Sequence, residues 1–134
     1  MTKIIDIEGV GSTYAKKLAA VGINTVESLL KRGATPKGRE EISKASGIDR
    51  NLILEWVNRA DLYRIKGIGS EYSDLLESAG VDTVVELSKR DAKNLTAKMV
   101  ETNSKRKIVR RLPSEKQVAD WINQAKKLPR VVSY

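Results

Sequence analysis

Ile7-Glu8-Gly9-Val10-Gly11-Ser12-Thr13-Tyr14-Ala15-Lys16-Lys17-Leu18 decides the reading of this chain, because it returns 58 positions later as Ile65-Lys66-Gly67-Ile68-Gly69-Ser70-Glu71-Tyr72-Ser73-Asp74-Leu75-Leu76. The same register joins Gly22 to Gly80, Thr25 to Thr83, Val26 to Val84, Leu29 to Leu87 and Lys31-Arg32 to Lys89-Arg90. Further on, Trp56-Val57-Asn58-Arg59-Ala60 pairs with Trp121-Ile122-Asn123-Gln124-Ala125 at an offset of 65, so the second copy gains seven residues between about 100 and 121. The gain falls on Lys105-Arg106-Lys107-Ile108-Val109-Arg110-Arg111. The chain is therefore read as two copies, 1–62 and 63–134, the second with a basic insertion near 101–113.

Each copy reads as about four short helices. The first copy places Ala15, Leu18 and Ala19 on one face of a helix over 12–21, which Gly22 ends. Asn24 or Thr25 caps a second helix, with Glu27 placed for a capping box from Asn24, and that helix stops near Gly33. Thr35-Pro36 starts a third, closed by Gly47, and Asp49 caps a fourth with Leu52, Ile53, Trp56 and Ala60 along its apolar stripe. In the second copy Asp82 or Thr83 caps the second helix and Ser114, after Pro113, the last. No sustained period-two run of β-branched residues occurs, so the fold is expected to be all-α. The connector Asp61-Leu62-Tyr63-Arg64 has no glycine, proline or serine, and the copies are expected to pack into one compact body.

Bulk composition narrows the function. A chain of 134 residues with 40% hydrophobic content can build an ordinary core. It has no cysteine, hence no disulfide scaffold or thiolate nucleophile, and no histidine, hence neither the usual neutral-pH base nor the commonest metal ligand. Nor is there metal-ligand spacing, a Walker-type loop or a nucleophile with a recognisable base. The adjacent Glu40 and Glu41 point in different directions on a surface helix. No enzyme is expected. No apolar run approaches the ~20 residues of a membrane span and residues 1–6 lack signal-peptide character, so the expected compartment is the cytoplasm, without a membrane partner. A net charge of +8 calls for an acidic partner.

A glycine-x-glycine turn entering a helix leaves backbone N–H groups without intrahelical partners, where the helix dipole adds positive potential. Such a turn suits a phosphate. Gly9, Val10, Gly11, Ser12 and Thr13 would present amides and hydroxyls, with Lys16 and Lys17 one turn on. The second turn offers Lys66, Gly67, Gly69 and Ser70, but Glu71, Asp74 and Glu77 follow it and would repel a phosphate. The alternative for both is a tight interhelical turn and nothing more.

The run from Ile7 to Leu18 resembles the helix-hairpin-helix motif of hydrophobic, x, Gly, hydrophobic, Gly, three residues, a small residue and a Leu-like residue; Ile65 to Leu76 is similar, with Ser73 at the small position. Gly33-Ala34-Thr35-Pro36-Lys37-Gly38-Arg39 and the stretch from Leu52 to Leu62 resemble an uncharacterised bacterial family, a domain of unknown function. The helix-hairpin-helix resemblance implies sequence-independent double-stranded DNA binding through the hairpin backbone, in some members with a monovalent cation at hairpin carbonyls; it does not imply catalysis. Other members are protein-interaction modules.

From Lys89 to Arg111 nine Lys or Arg face two acids, a local +7 that holds most of the net charge. Ile108, Val109 and Leu112 among those charges favour a tethered basic edge, Lys105, Arg106, Lys107, Arg110 and Arg111, over a solvated loop. RNA or an acidic protein would suit that edge as DNA does. Trp56, Trp121, Tyr14 and Tyr72 are read as packing residues, so single-strand stacking is disfavoured. The leading expectation is non-specific duplex DNA binding with a log–log salt slope of about −4 to −5. The competing one is a protein-interaction adaptor with structural hairpins and a basic docking segment.

Overall fold

Helix starts in this chain are fixed by short polar side chains. Thr25 holds an extended backbone, its Oγ1 accepts from Ser28 N at 3.1 Å, and Ser28 Oγ accepts from Thr25 N at 3.2 Å. Thr35, Thr83, Asp91 and Ser114 cap in the same way, each accepting from the backbone N–H three residues on. The box thus joins Thr25 and Ser28, not Asn24 and Glu27. Asn24 is held back because its carbonyl accepts from Ile4 N, and Glu27 instead accepts from Thr2 N.

The structure, a computed structural model, describes residues 2–134, which form a short 3-10 turn, Ile4–Asp6, and eight α-helices. These are α1 (Gly11–Ala20), α2 (Val26–Gly33), α3 (Pro36–Ser46), α4 (Arg50–Leu62), α5 (Ser70–Ser78), α6 (Val84–Ser88), α7 (Ala92–Arg106) and α8 (Glu115–Lys127). Among the described residues the only extended pairing is the isolated bridge between Lys3 and Thr25. The fold is all-α.

The described chain divides into two units, 2–61 with 131–134, and 62–130. In the first, α1 packs on the 3-10 turn and on α3, and α2 packs on α3, over a core that includes Ile7, Leu18, Ile23, Leu29, Ile42, Ile53 and Trp56. Residues 131–134, which the repeat assigns to the second copy, belong to this unit: Ser133 N donates to Ala34 O, and Arg39 donates to Ser133 O. In the second unit α8 packs on α6 and α7, and α5 on α7, around Leu62, Ile65, Leu75, Leu76, Leu87, Met99 and Trp121.

The caps also resolve where the copies diverge. Thr35 and Asp91 are 56 positions apart, Asp49 and Ser114 are 65. The second copy therefore loses two residues at α6, which has five residues against eight in α2, and gains nine through a longer α7 and the segment after it. Lys105 and Arg106 lie in the last turn of α7, and the rest of the basic edge follows in coil.

Candidate functional site

The first glycine turn is shaped from below. Val10 is buried, its N–H donates to Ile7 O, and Gly9 at φ +93° and Gly11 at φ +62° carry the chain through the left-handed region on either side of it. A Cβ on Gly9 would stand 3.6 Å from Nε1 of the buried Trp56, whose ring centroid lies 5.1 Å from that of Tyr14. The second copy repeats the device: a Cβ on Gly67, φ +101°, would stand 3.0 Å from Trp121 Nε1, and Tyr72 lies 5.1 Å from Trp121. Both tryptophans and both tyrosines are packing residues of their turns.

At the first turn α1 begins with no side-chain cap. The N–H groups of Gly11, Ser12 and Thr13 precede the helical ladder and find no acceptor among the described residues. Ser12 and Thr13 are exposed, as are Lys16 and Lys17 further along α1. Lys17 Nζ lies 5.8 Å over the Tyr14 ring, a cation–π placement that holds its charge close to the turn. Unpaired amides, the helix dipole and two hydroxyls thus meet at one exposed helix start, with the exposed Lys16 and Lys17 further along the same helix, an arrangement suited to an anion.

The second turn differs in backbone as well as charge. Gly69 is extended at φ −121°, so the left-handed step that Gly11 makes is not repeated. Lys66 N donates to Gln124 Oε1 at 2.8 Å and Lys66 O accepts from Gln124 Nε2 at 3.1 Å, which engages both backbone groups of Lys66 internally. Ser70 is half-buried and its carbonyl accepts from Ser73 Oγ, while Glu71 is exposed. Lys66 itself is exposed.

Arg59, the counterpart of Gln124, occupies the same place under the first turn. Its Nη1 donates to Glu8 O at 3.4 Å and its Nη2 meets Glu55 Oε1 at 3.4 Å. The residue before each turn glycine is therefore held by the last helix of its own copy, by a cation in the first and a neutral amide in the second. The carbonyls of Glu8 and Lys66 already take these side-chain donors, which bears on the expected monovalent cation. The signal for this pair was in the sequence, since the 65-residue offset aligns Arg59 with Gln124, but nothing local links either to its turn.

The basic edge is fixed in place. Asn103 grips Val109, accepting from its N–H at 2.9 Å and donating to its carbonyl at 3.2 Å. Tyr72 Oη donates to Arg111 O at 3.0 Å, and Arg106 Nη1 donates to Ser78 Oγ, so the edge is tied to α5 at two points. Val109 and Pro113 are buried, while Lys107, Arg110 and Arg111 are exposed. The charge is less than the composition suggests: Lys105 pairs with Glu101 at 3.4 Å, and Arg90 with Glu86 at 3.3 Å as well as with Gly80 O. Arg32, the counterpart of Arg90, is likewise used internally on Val21 O. The structure thus gathers Gly9 to Lys17 at one helix start in the first unit, and Lys105 to Arg111 beside α5 in the second.

Among the described residues no group of three or more metal-ligating side chains occurs, and no helix is long and apolar enough to cross a membrane. Comparison with curated proteins and with solved structures finds no match. The family model described as "Domain of unknown function (DUF4332)" matches residues 8–128, from the first glycine turn to the end of the last helix, and the chain belongs to that family.

Proposed function

We propose that the chain is a non-sequence-specific double-stranded DNA-binding protein of the cytoplasm, not an enzyme, built from two helix-hairpin-helix units. The observation that carries this reading is the start of α1, where three unpartnered N–H groups stand beside the exposed Ser12 and Thr13, on a helix that also exposes Lys16 and Lys17. Backbone amides read no base, so contact through them positions a phosphate without selecting sequence. Lys107, Arg110 and Arg111 add cations on a fixed segment, and Lys66 a further one. Gly67, Gly69 and Ser70 serve the architecture of the second turn, whose backbone is tied to Gln124. The two copies then divide the work, the first binding through its turn and the second through its edge.

A titration of a short duplex at several salt concentrations tests this. Neutralising about five phosphates gives a log–log slope of about −4 to −5. Lys16→Glu with Lys17→Glu abolishes binding at low salt without moving the thermal midpoint, since both residues are exposed. No binding of the unaltered chain at low ionic strength, or a clear preference for RNA, overturns the reading.

A further inference from the structure

An open groove of about 460 Å³ runs beside the start of α1, walled by Lys3, Ile5, Ser12, Ala15, Lys16 and Ala19 among others. Its lining is mostly apolar, and Ile5 stands 46% exposed at its edge while its neighbour Ile4 is buried. No acid lines it; Lys3 and Lys16 do. At the equivalent positions of the second copy Lys16, Ala19 and Asn24 become Asp74, Glu77 and Asp82. The second copy thus carries acids at positions where the groove has Lys16, Ala19 and Asn24, and the cationic flank belongs to the first copy.

We propose that this groove seats the sugar edge of the DNA strand whose phosphate meets the start of α1. The proposal rests on the DNA-binding reading above and deepens it. A nucleic acid backbone alternates anionic phosphates with apolar sugar edges, and Ser12 and Lys16 belong both to the groove and to the helix start. A strand held there by its phosphate brings the adjacent deoxyribose onto Ile5, Ala15 and Ala19, with Lys3 and Lys16 facing the flanking charges. Burial of the exposed part of Ile5 contributes through area removed from water, a component independent of salt.

The test uses the full chain and two probes, a 20-base-pair duplex and inorganic polyphosphate, a polyanion without sugar. Ile5→Ser weakens duplex binding about five-fold, the size expected for about 40 Å² of apolar surface, and leaves the salt slope unchanged. Polyphosphate binding is unaffected. Ile5→Val, which keeps an apolar wall, retains most of the affinity, and guards against a folding defect in the serine variant. An Ile5→Ser variant that binds the duplex as the unaltered chain does, or loses equally on both probes, overturns the groove proposal while leaving the DNA reading in place. Failure of the unaltered chain to bind the duplex at all overturns both.

Discussion

Replacing Arg39 by alanine removes a guanidinium that is 6% exposed and bridges two pieces of chain, donating from Nη1 to Gly33 O at 2.8 Å and from Nη2 to Ser133 O at 2.7 Å. Burial lowers its pKa from the ordinary arginine value, with the neighbouring Tyr134 acting in the opposite sense. Its ring lies 6.0 Å from the guanidinium, and Tyr134 Oη donates to Asn58 Oδ1. A hydrogen bond from a charged donor contributes about 1.5–3 kcal/mol, and the lost stem packing adds to that, so Arg39→Ala is expected to destabilise the first unit by about 3 kcal/mol. Deleting residues 131–134 removes Val132 from its buried site together with these bonds, at about 2.5 kcal/mol. Both changes delete the bond between Nη2 and Ser133 O, so the double variant loses about 4 kcal/mol, some 1.5 less than the sum. Urea denaturation read by Trp56 fluorescence in a Trp121→Phe background reports on the first unit, because each unit holds one buried tryptophan. Additive losses, within about 0.5 kcal/mol, would refute the bridge. Arg39→Leu is the companion: aligned on the caps Thr35 and Asp91, Arg39 corresponds to the buried Leu95, so leucine restores stem packing, loses only the bonds, and is expected to destabilise less than Arg39→Ala.

Lys107 is the single non-glycine residue at positive φ among the described residues, at φ 47° closing α7. Lys107→Gly relieves that conformation and raises stability by about 1 kcal/mol in chemical denaturation, yet lowers the steepness of the DNA salt dependence by about 0.9. Stability and affinity moving in opposite directions is the outcome to look for; a parallel loss would mean that Lys107 is structural. A Cβ on Gly38 would come within 2.0 Å of Arg32 O, a backbone atom that cannot swing aside. Gly38→Ala therefore separates α2 from α3 and destabilises by about 1–3 kcal/mol, seen as a lower thermal midpoint by circular dichroism; an unchanged midpoint would count against this packing.

Helix content was legible because it is written locally. Thr35-Pro36, Gly22, Gly47 and Ser114 each act within one turn of the chain, and each sits where its sequence places it. The capping box starts one residue later than local preference indicates, because Asn24 and Thr25 are both good caps in isolation and only the pairing of Asn24 O with Ile4 N decides between them. Gly69 aligns with Gly11 letter for letter yet takes a different backbone conformation, since a glycine permits left-handed φ without requiring it. The acids after the second turn and the charge of the edge could be counted from the sequence. That Arg90 and Lys105 are paired internally could be foreseen only in part, from the i,i+4 spacing to Glu86 and Glu101. Arg59 beneath Glu8 and the docking of 131–134 on Arg39 needed the tertiary structure, because their partners lie 51 and 94 residues away in sequence.

The clamp under each turn also dictates an order of assembly. Arg59 reaches Glu8 across 51 residues and Gln124 reaches Lys66 across 58, and in each copy the tryptophan that floors the turn lies on the same late helix. Closing such distant contacts follows the loop entropy of nearly a whole copy, so the turns acquire their final shape after α4 and α8 have docked. A dozen-residue peptide carrying either motif would lack its floor and its clamp. The turn leaves the ribosome early in each copy, yet waits for that copy's late helix before it is set.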